Sequence, residues 1–248
     1  MPYYIEYCCV SHKGHRRGTN QDNFICNGAY MGADNVPSLP LSGTVKDADN
    51  TLFGVFDGLG GESFGEVASF IAARCAAEHA ASPDSEDLLK LCRSANGEIC
   101  RWAEKNGGVR CGTTAALLEF SKGTIRLCNV GDSKIFLFSG GKLEQISEDH
   151  VSPAPFGMKA RLDRYLGIPE GELLLVPFFA EGAYSSNDVF LICSDGLTDM
   201  VESSRIGDIL RKSKTPSAAQ KLLDAALEAG GTDNVTVIVC RIKKRLQN

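Results

Sequence analysis

Long apolar runs are missing from this 248-residue sequence. No segment approaches the ~20 consecutive apolar residues of a membrane-spanning helix. An excess of positive charge is missing too. The formal net charge is −5 and the isoelectric point is near 5.5, so nothing electrostatic favours nucleic acid or an anionic membrane as a partner. The start, Met1-Pro2-Tyr3-Tyr4-Ile5-Glu6, lacks a basic stretch followed by an apolar core, so no export signal is expected. No C-x-x-C pair occurs, which argues against structural zinc. None of the ten cysteines has arginine six positions later, which excludes cysteine-phosphatase chemistry. G-x-x-x-x-G-K-[ST] and H-E-x-x-H are also absent.

What is present is ordinary globular composition, 43 % hydrophobic and 23 % charged. There is no internal repeat and no low-complexity linker. Disulfide frameworks belong mostly to much shorter secreted chains. Cys9, Cys128, Cys193 and Cys240 lie in apolar runs, where cysteine acts as a small hydrophobe. Reduced thiols and a cytoplasmic location are therefore expected.

Alternation and apolar runs predict strands at residues 3–10, 22–26, 52–56, 113–120, 124–130, 134–138, 142–146, 189–193 and 235–242. Residues 27–50, rich in Gly, Asn and Pro, read as a loop. Helical spacing predicts helices over 62–81, over a stretch following a Ser82-Pro83 cap to Asn106-Gly107, over 203–212, and over 216–229 with Thr215 as cap and Gly230 as stop. Turns as short as Ser121-Lys122-Gly123 favour antiparallel hairpins. Strands in groups and helices in pairs predict an α+β fold with antiparallel sheet.

Four strand margins share one format. Phe56 is followed by Asp57-Gly58, Val130 by Gly131-Asp132, and Cys193 by Ser194-Asp195-Gly196; Asp233-Asn234 precedes Val235. Taken singly, each is an ordinary turn. Asp57 and Asp195, however, precede helical stretches rather than returning strands. Carboxylates gathered at one sheet margin repel unless a cation lies between them, and hard Mg²⁺ or Mn²⁺ suits oxygen ligands. Asp47-Ala48-Asp49-Asn50-Thr51 has the D-x-D-x-T form of an aspartyl-phosphate nucleophile, but no buried strand precedes it, so it reads as a solvated loop.

The motifs in order are Arg17-Gly18-Thr19-Asn20-Gln21-Asp22-Asn23, Phe53 to Gly61 with Asp57-Gly58 inside, Gly112-Thr113-Thr114, Asn129-Val130-Gly131-Asp132-Ser133, Ser147-Glu148-Asp149-His150, Leu191 to Asp199, and Thr232-Asp233-Asn234-Val235-Thr236. Together they resemble the PPM, or PP2C-like, metal-dependent Ser/Thr protein phosphatases, in particular the short bacterial members. The resemblance spans almost the whole chain and implies one domain over residues 1–248, a four-layer α-β-β-α sandwich of two antiparallel sheets flanked by helix pairs. It implies that Asp57 bridges two Mn²⁺ or Mg²⁺ ions, with the Gly58 carbonyl on one ion and Asp195 and Asp233 on the other. Asp22 would act through water on the metals. Asp132, with Asp195, matches a third, weaker ion, and Arg17 matches the arginine that grips substrate phosphate. Two such ions can share and acidify a water that attacks phosphorus in line, with no phosphoenzyme.

The resemblance further implies phosphorylated Ser/Thr proteins as substrates and a cognate Ser/Thr kinase as partner; a monomer is expected, and the alternative function is a pseudophosphatase that binds phosphoproteins. Leu59 stands where many eukaryotic relatives have histidine, Gln21 replaces the more frequent glutamate, and Lys134 replaces an arginine in a structural position. Asp149-His150 reads as a fold-supporting pair, His12 and His15 as solvated loop histidines, and Asp199 either resembles a family residue near the metals or is a helix N-terminal charge. Residues 152–182 match a short flap whose Lys159, Arg161, Asp163 and Arg164 suit docking of a phosphoprotein or a plain charged surface loop.

Overall fold

The computed structural model describes residues 3–36, 40–48, 50–59, 64–81, 87–153, 161–169, 171–172 and 175–245. The chain opens with β1 (Tyr3–His12), β2 (Asp22–Cys26), β3 (Leu41–Val45) and β4 (Thr51–Asp57), followed by helices α1 (Gly65–Ala80) and α2 (Leu88–Lys105). Next come β5 (Ala115–Ser121), β6 (Thr124–Val130), β7 (Lys134–Ser139), β8 (Lys142–Gln145) and the short pair β9 (Val151–Ser152) and β10 (Arg161–Leu162). The last third holds β11 (Phe178–Ala183), β12 (Val189–Cys193), α3 (Asp195–Thr198), α4 (Ser203–Lys212), α5 (Thr215–Glu228) and β13 (Val235–Lys244).

Two main sheets result, one in the order β3-β1-β13-β12-β7-β8 and one in the order β11-β6-β5-β4-β2. Every named pairing in them is antiparallel. The period-two rule assigns each strand two faces. On β1, Ile5, Tyr7 and Cys9 join a cluster with Phe53 and Val55 of β4, Leu118 and Phe120 of β5, and Phe190 and Ile192 of β12. That cluster lies between the sheets. Cys8 and Val10 of β1 face the other way, with Val237 and Val239, onto Ile206 and Leu210 of α4 and Leu222 of α5. Phe56, Leu117 and Val130 instead meet Ile71 of α1 and Leu91 and Ile99 of α2. The three clusters are consistent with the layer order helix, sheet, sheet, helix. All ten cysteines are free, and nine are buried.

Several expectations change. Residues 27–50 are not all loop, because Leu41–Val45 adds an edge strand to β1, with Ile5 opposite Val45. Its alternation is weak because only Val45 is buried. The D-x-D-x-T segment accordingly follows an exposed edge strand; its Asp47 pairs with Arg245, and Asp49 lies outside the described residues. The Ser82-Pro83 cap also lies outside them, while α2 is capped by Asp87, whose carboxylate accepts from Leu89 and Lys90 N–H groups. Thr215 is the first residue of α5, not its cap: Lys214 holds that position without a side-chain bond, and Pro216 follows in the first turn. Strand β11 arises in a segment where the pattern predicts no strand. The apolar run before it is interrupted by Pro177, and the strand itself alternates half-buried and exposed residues.

Candidate metal centre

Antiparallel pairing gathers the ends of seven strands at one margin of the sandwich. In the first sheet, β12 ends where β13 and β7 begin, with Cys193 opposite Val237 and Lys134. In the second, Asp22 at the start of β2 stands directly opposite Asp57 at the end of β4. Val130 at the end of β6 lies opposite Ala115 at the start of β5. The acidic residues just inside or beyond these ends converge there.

Their influence is visible in the proton affinities of Asp57 and Asp22. Asp57 is held well above the usual carboxylate range by burial first, then by the charges of Asp22, Asp195, Asp132 and Asp233. Burial likewise pushes Asp22 up to about 7, opposed by hydrogen bonds from Thr236 and Ser194 and reinforced by Asp195 and Asp233. The sequence-predicted acids therefore share one electrostatic site. Among the described residues, no three of them are drawn into a closed ligand cluster. Like charges keep apart until a cation offsets their repulsion. Asp233 is turned towards Arg17, whose Nη2 lies 2.6 Å from its Oδ2. That bond, together with Asp233, Asp57 and Asp195 as neighbouring charges, raises the Arg17 pKa above its ordinary value.

The residues present fit a hard divalent ion. The converging groups offer carboxylate and carbonyl oxygen, without thiolate or imidazole. The Oδ1 of Asp22 is buried and has no hydrogen-bond partner, an orphaned acceptor facing a cluster of negative charge. Its other oxygen is fully engaged: Thr236 Oγ1 donates over 2.7 Å and Ser194 Oγ over 2.8 Å. Because the Thr236 proton goes to Asp22, Ser11 Oγ, 2.8 Å away, must donate to Thr236. Ser11 in turn accepts from Asn20 Nδ2 at 3.0 Å. This chain ties β1, β2, β12 and β13 together around one carboxylate oxygen.

The backbone of Asp57 is fixed separately. Its N–H donates to Thr114 Oγ1 at 3.0 Å, and its carbonyl accepts from the Thr114 N–H and from Thr113 Oγ1. Thr114 Oγ1 lies 2.7 Å from Ser133 Oγ beside Asp132. Gly58 is packed so closely that an added Cβ would lie 2.4 Å from the Gly65 carbonyl oxygen and 2.6 Å from that of Gln21. A side chain is excluded there, and the Gly58 N–H donates to the Gln21 carbonyl.

A model of the family "Protein phosphatase 2C" matches residues 25–154, just over half the chain. The chain belongs to the protein phosphatase 2C family. It is 30 % identical over 206 residues to a "Serine/threonine phosphatase stp" of Listeria innocua, covering 75 % of this chain and 82 % of that protein. It is 28 % identical over 253 residues to "Serine/threonine protein phosphatase PstP" of Mycobacterium tuberculosis, covering 96 % of this chain but only 45 % of PstP. The crystal structure of the PstP catalytic domain with two manganese ions superposes with a TM-score of 0.77 at 26 % identity, covering 98 % of this chain and all of that one. The PP2C assignment accounts for two antiparallel sheets with acidic strand ends, an arrangement that turn statistics alone do not single out.

The remaining expectations divide. Lys134 serves structure in this PP2C domain: its ammonium pairs with Asp149 and donates to the Asp132 carbonyl. His150 is buried, and its Nδ1 accepts from the Gly131 N–H. Gln21 Nε2 donates to Glu66. His15 is exposed, whereas His12 is only half-exposed, with its Nδ1 accepting from Gly14. In the flap region, Arg164 donates to the Val176 carbonyl and Ser152 donates to Asp163, so two of the four charges serve the segment itself. Lys159 lies outside the described residues. Asp199 follows α3, and its N–H donates to the Asp195 carbonyl, so it is not a helix N-terminal charge. Sequence reasoning assigns no role to Thr236, Ser194 and Ser11. The available signal was a threonine in the otherwise apolar run Val235-Thr236-Val237, since a buried hydroxyl requires a partner.

Proposed function

We propose that the protein is a metal-dependent protein Ser/Thr phosphatase, acting in the cytoplasm on phosphorylated Ser/Thr proteins, among them a cognate kinase. The observation that carries this reading is the buried, partnerless Asp22 Oδ1 at a margin where Asp195 and Asp233 raise the proton affinity of Asp22, and where they, Asp22 and Asp132 raise that of Asp57. Asp57, the Gly58 carbonyl, Asp195 and Asp233 would hold two Mn²⁺ or Mg²⁺ ions, with Asp132 contributing to a third; support comes from the two manganese ions of the PstP catalytic domain. When bound, such ions supply Lewis acidity and an acidified water for in-line attack on phosphorus.

The chain's own groups do the rest. Arg17 exchanges the Asp233 carboxylate for phosphoryl oxygens, which its planar fork matches, and stays charged throughout. Asp22, fixed through Oδ2, aims Oδ1 at the centre and orients water by accepting its proton. Thr113 and Thr114 hold the Asp57 backbone. We further take residues 1–248 as one domain, a monomer, with residues 152–182 as a short flap. No helix among the described residues is long and apolar enough to cross a membrane. The pseudophosphatase alternative finds no support: the relatives above are named phosphatases and no expected carboxylate is missing. The test is phosphate release from phosphothreonine peptides with and without Mn²⁺. Release that requires the metal is expected; no metal-dependent release across a peptide panel would overturn the reading.

A further inference from the structure

The loop between β1 and β2 carries Lys13, His15, Arg16 and Arg17 in five positions, in a chain whose net charge is −5. It is pinned at several points to the loop that presents Asp233. The His15 N–H donates to the Gly231 carbonyl at 2.7 Å, and Asn234 Nδ2 donates to the carbonyls of Lys13 at 2.8 Å and Thr19 at 3.0 Å. Gly14, at φ 77°, approaches so closely that an added Cβ would lie 2.1 Å from the Asp233 carbonyl oxygen. The backbone is thus held while the side chains of Lys13, His15 and Arg16 stand in solvent. Among the described residues, none of the ion pairs involves Lys13 or Arg16, whereas Arg17 is paired with Asp233.

We infer that Lys13 and Arg16 form an anion subsite on the rim beside Arg17, selecting phosphoproteins with a second negative group near the phosphorylated residue. The inference rests on the phosphatase reading for the role of Arg17. Physically, the fixed loop holds two exposed cations, outside every ion pair of the described residues, four positions and one position before Arg17. An extended strand advances roughly 3.3 Å per residue. A second anion two or three residues from the phosphothreonine therefore comes within reach of them. Binding there need not order the loop backbone, which is already held, and costs only the freedom of the two side chains. A second phosphoryl group and a carboxylate offer the same oxygen chemistry, and they differ in charge.

The test is equilibrium binding of fluorescent peptides to the metal-free full chain, so that turnover does not intervene. Three peptides share one phosphothreonine and differ in flanks: neutral, glutamate-bearing, and carrying a second phosphothreonine on either side. The wild type is expected to bind the anionic peptides about tenfold more tightly than the neutral one, as two exposed ion pairs allow, with the gap closing at high salt. In Lys13→Ala/Arg16→Ala the ratio falls towards one; in Lys221→Ala, which removes one positive charge from α5, it is retained. A larger gap for the second phosphate identifies multiply phosphorylated substrates, and equal gaps identify acidic ones. No preference in the wild type, a preference that survives the double substitution, or an equal loss in Lys221→Ala would overturn the subsite. Absent phosphate release with the binding ratios intact would instead remove the catalytic reading and leave the subsite standing.

Discussion

Strands β4 and β12 are both apolar in their middles, and both give way to acid at their ends. Phe53 and Val55 of one and Phe190 and Ile192 of the other meet between the sheets, where Phe120 packs edge-on against both Phe53 and Phe190 with ring centroids 5.8 and 5.3 Å apart. Two residues beyond Val55 and three beyond Ile192 lie Asp57 and Asp195, and the charge of Asp195 helps raise the proton affinity of Asp57. The middle stabilises the fold by removing apolar surface from water. The margin costs stability, because buried like charges repel, and it persists because hydroxyl and amide side chains hold it in place. The same strands thus separate what holds the molecule together from what it acts with.

Asp57→Asn tests that separation most sharply. Loss of the central carboxylate should lower Mn²⁺-dependent phosphate release by at least ~10³-fold, since metal charge stabilisation contributes several kcal/mol. The melting temperature should hold or rise, because a repelled charge is gone. Release within tenfold of wild type, or a collapsed fold, would break the comparison. Phe190→Ala should do the reverse, costing about 3–5 kcal/mol in urea unfolding. A cost below 1 kcal/mol would show that the inter-sheet cluster is not the main support.

Thr236→Val lies at the joint between the two regions. It removes one of two donors to the buried Asp22 Oδ2 while keeping shape, so a loss of about 1–3 kcal/mol and a roughly tenfold weaker Mn²⁺ affinity are expected by calorimetry. Unchanged affinity would separate the hydroxyl chain from the metal centre. The smallest effect concerns His150. Burial, then the Arg164 charge, lowers its pKa in the folded state, so the neutral ring is favoured there. That contribution is fully present above the ordinary value of 6.5 and is lost as pH falls through the lowered folded value. Denaturation at pH 7.5 and 5.5 should show wild type losing stability on acidification and His150→Asn, which keeps an acceptor for Gly131, losing less. Equal losses would remove His150 as a source of acid sensitivity.

Legibility followed the strength of the local pattern. Residues 124–130, 189–193 and 203–212 agree with β6, β12 and α4 residue for residue, because each carries a strong local signal, an unbroken apolar run in the case of 189–193. Strands β3 and β11 escaped because sheet edges bury little and alternate weakly. At the site, Asp22, Asp57, Asp132, Asp195 and Asp233 were readable as acids beside strand ends. The hydroxyls of Thr236, Ser194 and Ser11 were not, because a donor's role depends on the group that lies across from it.

By itself, the amino-acid order determined the inner strands and the helices, the two faces of each inner strand and the identity of the acidic residues, since these depend on spacing within a few residues. Only the tertiary structure decided that Asp22 stands opposite Asp57, that Thr236 and Ser194 reach Asp22 across about two hundred positions of chain, and that Arg17 meets Asp233. The physical reason is that burial and charge coupling depend on distance in space, and antiparallel register is what brings these distant residues together.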